Sequence, residues 1–140
     1  MTNYTITQSS KGGRKTSVAS RRHDDAVIER LLTDGYATEE TGKIIARETC
    51  SVVAALRKHD TDDAKRIRRH ISSITVADAD EWVECSDWLY DARRDARRGK
   101  WSDPELAAEE KRAMAWAMLM RRVRYVAMLT AAVRSVQISA

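Results

Sequence analysis

A chain of 140 residues, 43% hydrophobic and 33% charged, has room for one core under a densely charged surface, or for a small domain with an appended oligomerisation element. One proline, five glycines and no phenylalanine, with almost no alternating β-branched runs, argue against a β-rich fold and for an all-α one. The net charge of +4 is uneven: residues 1–70 carry 14 cations against 10 acids and residues 71–140 carry 11 of each, so the whole positive excess lies in the first half.

Residues 1–22 read as a flexible basic arm, polar and Gly- and Ser-containing. Lys11, Arg14, Lys15, Arg21 and Arg22 precede the first acid. A first helix is expected from about Arg22 or His23, with Asp24 and Asp25 at the positive end of its dipole. Val27, Ile28, Leu31 and Leu32 form its apolar stripe, and Gly35 is placed to end it in the left-handed conformation. Thr38 is a natural N-cap for a second helix that buries Thr41, Ile44 and Ile45. A turn is expected around Arg47 to Thr49. A third helix then buries Val52, Val53, Ala55 and Leu56 and closes at Arg57, Lys58 and His59. Asp60 or Thr61 caps a fourth, from Asp62 to about Ile74.

The second half reads as a long antiparallel helical hairpin, residues 75–140. Thr75 caps its first helix, which runs to about Arg98. Trp82, Cys85, Leu89, Ala92 and Ala96 give a coiled-coil-like seam. Gly99 ends it. Ser102 and Glu105 fit a capping box around Pro104 for a last helix of about 30 residues, roughly 45 Å long. Its stretch from Ala113 to Met120 is apolar on every side and needs cover all round. That predicts a homo-oligomer, a dimer or ring, with Trp116, Met120, Val123 and Val126 at the interface.

Between the arm and the hairpin, residues 23–74 form the expected DNA-binding domain. Leu31-Leu32-Thr33-Asp34-Gly35-Tyr36-Ala37, then Gly42, Ile45, Val52 and Leu56, resemble the helix-turn-helix of bacterial and phage regulators over residues 28–58. In that family the residue at Gly42 is small because two helices approach closely there. Thr41 departs from the usual Ile or Val, and Arg47-Glu48-Thr49 departs from the common Gly-containing turn. The resemblance implies a recognition helix in the major groove of double-stranded DNA. Thr49 and Ser51 would then reach base edges, Arg57 and Lys58 would contact phosphate or guanine, and Arg14, Lys15, Arg21 and Arg22 would follow the backbone or a minor groove. A transcriptional regulator and a phage small terminase subunit share this layout. The rival reading is a protein-binding module or inhibitor, for example phage-encoded, working through its Trp- and Met-rich helices.

Catalysis is not expected. His59-Asp60 is an HD dipeptide, but it lacks the apolar lead-in of the HD phosphohydrolases, and no nucleophile–base pair or Gly-rich phosphate loop is present. No metal or cofactor is implied. Cys50 and Cys85 form no CxxC or paired-His pattern, which suits reduced thiols in a cytoplasmic setting. Arg121, Arg122 and Arg124 interrupt the most apolar window, each costing about 2.5–3.5 kcal/mol at a bilayer centre, so no membrane span is expected.

Overall fold

The computed structural model describes residues 18–139. They form helices α1 (Val18–Asp34), α2 (Glu39–Leu56), α3 (Asp62–Arg69), α4 (Val76–Arg97) and α5 (Pro104–Ser139), with no strand among them. The described residues are all-helical, in line with the composition.

Most element ends obey the expected local chemistry. Gly35 (φ 67°) and Gly99 (φ 80°) take the left-handed conformation that terminates a helix without a Cβ penalty. Thr38, Thr61 and Thr75 are N-caps, their hydroxyls accepting the backbone N–H of Thr41, Ala64 and Asp78. The cap of α5 is Asp103 rather than Ser102: its carboxylate accepts the N–H groups of Glu105 and Leu106 at 2.9 and 3.2 Å. An ionised oxygen at the positive end of the helix dipole outcompetes a neighbouring hydroxyl. α1 begins at Val18, earlier than expected, so Arg21 and Arg22 belong to a helix and not to an arm. Arg14 and Lys15 lie outside the described residues.

The main departure is α2. The turn expected at Arg47 to Thr49 does not form, and one helix of 18 residues runs from Glu39 to Leu56. Nothing between Gly42 and Leu56 breaks a helix. Thr49 instead donates its hydroxyl to the Ile45 carbonyl one turn back, at 2.8 Å, a bond that belongs to a helix interior. Thr41, fully buried, stands where the regulators carry Ile or Val because it completes a capping box. Its hydroxyl accepts the Thr38 N–H at 2.9 Å while its own N–H reaches the Thr38 hydroxyl. A Cβ added at Gly42 would meet nothing within 4 Å, so no helix packs closely on that position.

α5 is the spine. α4 lies against it in the opposite direction, joined by the ion pairs Arg97–Glu110 (2.6 Å), Arg93–Glu109 (3.7 Å), Arg121–Asp87 (2.7 Å) and Arg124–Asp80. The face of α4 turned to α5 carries buried Ala79 and Ser86. Cys85 and Ala96, expected in the seam, are exposed. A helix crossing a 36-residue neighbour need not keep a strict heptad phase when arginine–carboxylate pairs flank the contact. Arg93 and Arg97 of α4 are among those cross-helix partners.

Two apolar clusters complete the fold. Val52 and Leu56 of α2 and Ala64 and Ile67 of α3 pack against Leu119, Met120, Val123 and Val126. Ile28, Leu31 and Ile44 pack around Leu129. Met120, Val123 and Val126, expected at an oligomer interface, are therefore interior to the chain, Val123 at 0% exposure. Trp116 is half-buried against the first cluster. The cover that α5 needed comes from α1 to α4. What α5 leaves open is Met114 and Met118, the latter 61% exposed.

Candidate nucleic-acid interface

The end of α2 is fixed by Val52 and Leu56, both fully buried against α5. Beyond them the backbone turns through Arg57 and Lys58, whose N–H groups donate to the Val53 and Ala55 carbonyls at 3.1 Å. Thr61 then caps α3, and Ala64 and Ile67 plug α3 into the same core. With those two residues inward, Lys65, Arg66 and Arg69 face solvent and Arg68 is half-buried. The result is a corner carrying Arg57, Lys58, Lys65, Arg66, Arg68 and Arg69 within thirteen residues of chain.

Pairing divides these cations. Lys65 lies 3.4 Å from Asp60, and Arg66 donates to Asp63 at 3.0 Å. Arg66 thus takes its i, i+3 neighbour rather than Asp62, one turn back at i, i+4. Arg57, Lys58, Arg68 and Arg69 have no side-chain ion pair or hydrogen bond among the described residues. The folded chain shows that Asp60 and Asp63 are engaged by Lys65 and Arg66, and that Arg68 and Arg69 take no acid as a partner among the described residues.

The other expected contact residues are dispersed. Thr49 is half-buried with its hydroxyl committed to Ile45. Ser51 accepts a hydrogen bond from Arg122 of α5 at 2.5 Å, and Arg122 also approaches Glu48 at 3.8 Å. Both side chains thus serve packing of α2 and do not form a reading surface with Arg57 and Lys58. Arg21 and Arg22 are exposed early in α1, a different helix. Next to them, His23 meets Glu40 at 2.6 Å, and Arg47 reaches Asp24 at 3.2 Å, tying α1 to α2.

His59 packs edge-on to Trp116, ring centroids 5.2 Å apart, while Asp60 faces Lys65. The two halves of the HD dipeptide thus point to different partners. Among the described residues no group of three His, Cys, Asp or Glu is placed to hold a metal ion. Nor, among the described residues, is any helix long and apolar enough to cross a membrane. Compared with protein-family models, with curated proteins and with solved structures, the chain matches none.

Proposed function

We propose that this chain is a non-enzymatic DNA-binding protein, regulatory or architectural, that grips the phosphate backbone of double-stranded DNA through the corner between α2 and α3. The observation that carries the reading is the set Arg57, Lys58, Arg68 and Arg69, held outward by a buried anchor on each helix and left without acidic partners among the described residues. Cations already neutralised by acids release few counterions on binding; unpaired ones release more. A single straight α2 offers no separate recognition helix, so phosphate contact dominates and sequence preference is modest.

The test is fluorescence anisotropy of mixed-sequence duplex DNA titrated at low and near-physiological salt. Affinity should fall steeply with salt, and the variant with all four cations changed to Ala should show a slope shallower by about 0.9 for each lost phosphate contact. Absence of binding at low salt, or an unchanged slope in the variant, overturns the reading.

A second reading, a protein-binding module, is favoured by Trp88 and Trp101, 73% and 58% exposed on the hairpin. Aromatic side chains left in water are characteristic of interface anchors. Binding through them would be far less sensitive to salt than phosphate contact. Self-association would use Met114 and Met118, the apolar side chains that α5 leaves uncovered; a dimer measured by sedimentation suits a regulator, and a larger ring a packaging role.

A further inference from the structure

A cleft of about 470 Å³ opens between the α2–α3 corner and the hairpin, lined in part by His59, Thr61, Leu89, Arg93, Arg112 and Trp116. Its volume lies within the range of small-molecule sites, which combine an apolar floor with a few convergent polar groups. Here the apolar surface comes from Leu89 and the indole of Trp116, with the His59 ring set against that indole at 67°. Two planar π systems in one cleft favour a flat aromatic ligand.

The charge around the rim decides what that ligand carries. Two acids also line the cleft, Asp63 and Glu109, but Asp63 is held by Arg66 at 3.0 Å and Glu109 faces Arg93 at 3.7 Å. Arg112 has no ion pair or hydrogen bond among the described residues. The Thr61 hydroxyl spends its oxygen on the Ala64 N–H, which leaves its proton for an outside acceptor. An unpaired guanidinium and a free hydroxyl proton together suit a phosphate.

We infer that this cleft binds a nucleotide, its base against Trp116 and His59 and its phosphate on Arg112 and Thr61. The ligand is either a free nucleoside monophosphate or the unpaired base of a single strand; the two share this chemistry. The cleft borders the corner but is lined by none of its four unpaired cations, and either proposal stands if the other fails, because duplex DNA presents no unstacked base to the cleft.

The test is a titration of the full chain, following tryptophan fluorescence, with adenosine 5′-monophosphate, adenosine, inorganic phosphate and a short oligodeoxyadenylate. Saturable quenching is expected from the nucleotide or the oligomer, with adenosine and phosphate alone each weaker. Arg112→Ala, a change at an exposed position that leaves the core intact, should weaken binding about tenfold, the factor of one charge-assisted hydrogen bond. Trp116→Phe keeps an aromatic floor and should retain binding, read by calorimetry, whereas Trp116→Leu should lose it. Tighter binding of the oligomer assigns the cleft to single strands; tighter binding of the monophosphate assigns it to a free nucleotide. No saturable response to either, or equal affinity in Arg112→Ala, overturns the proposal.

Discussion

The α2–α3 corner and the α4–α5 seam are both rich in arginine, yet they use it in opposite ways. Along the seam, Arg97, Arg121 and Arg124 each reach across to a carboxylate on the facing helix, so their charge is spent on the chain's own architecture. At the corner, Arg57, Lys58, Arg68 and Arg69 reach nothing of the kind. Density of charge is similar; availability is not. Arginine count alone would rank the two surfaces together, and only the partner of each guanidinium separates a fastening from a docking surface.

The largest effect should come from removing what both regions share, the core beneath them. Leu56 is fully buried where α2 ends and the corner begins, so Leu56→Ala should cost about 2–5 kcal/mol, measured by urea denaturation, and should loosen the corner with it. Next, Arg57, Lys58, Arg68 and Arg69 changed together to Ala should lower duplex affinity about a hundredfold at near-physiological salt. The same variant should fold with stability within about 0.5 kcal/mol of the parent, as surface changes do. The seam should respond in the reverse sense. Glu110→Ala leaves the partly buried Arg97 guanidinium with the Trp101 carbonyl at 3.2 Å as its hydrogen-bond acceptor and the Trp101 ring beneath it, its Nε already buried without a partner. A stability loss of about 1–3 kcal/mol is expected, with DNA affinity unchanged. A seam variant that weakened DNA binding as strongly as the corner variant would erase the distinction.

The fold class and most helix ends were legible because they depend on neighbours in sequence. Gly35 and Gly99 as terminators and Thr38, Thr61 and Thr75 as caps are decisions made within one turn of chain. The i, i+3 pairs Arg94–Asp91 and Arg98–Asp95 are local in the same way. The helix-turn-helix was not secured by the same logic. Apolar anchors at Ile45, Val52 and Leu56 fit a broken pair of helices, but they fit one straight helix equally well, and only a breaker at Arg47 to Thr49 would decide between them. That Met120, Val123 and Val126 lie inside the chain was illegible for another reason. An all-round apolar α5 demands cover, yet sequence does not say whether that cover comes from another copy or from α1 to α4. At the candidate site, Arg57 and Lys58 were legible as a cationic helix end, whereas the availability of Arg68 and Arg69 depends on which acid each neighbouring cation takes.

A smaller change tests the straight form of α2 directly. Gly42 is exposed within the helix with open space around its Cα. Gly42→Gln should therefore stabilise the chain by about 0.5–1 kcal/mol, the gain from replacing a helical glycine by a good helix former. A helix-turn-helix with close approach at this position would instead be destabilised by the long side chain, and a lowered thermal midpoint would reinstate it.

The smallest expected effect lies at the junction of α1, α2 and α5, remote in purpose from both the corner and the seam. Tyr125 is partly buried against the Ile28 and Leu31 cluster. Burial, then the nearby carboxylates Glu48 and Asp25, push its phenol above the ordinary 10.0, because all three oppose the phenolate charge. A phenol whose pKa is higher folded than unfolded holds its full contribution below the unfolded value. It loses that contribution as pH rises through the folded one, since the unfolded chain releases the proton first. Thermal midpoints of the parent and of Tyr125→Phe should keep a constant difference up to about pH 9 and then converge or cross in favour of Phe as the phenol titrates. Lysine titration acts on both proteins alike and cancels in the difference. A difference that stays flat to about pH 11 would mean that Tyr125 ionises as freely folded as unfolded, and that the carboxylates of α1 and α2 do not bear on it.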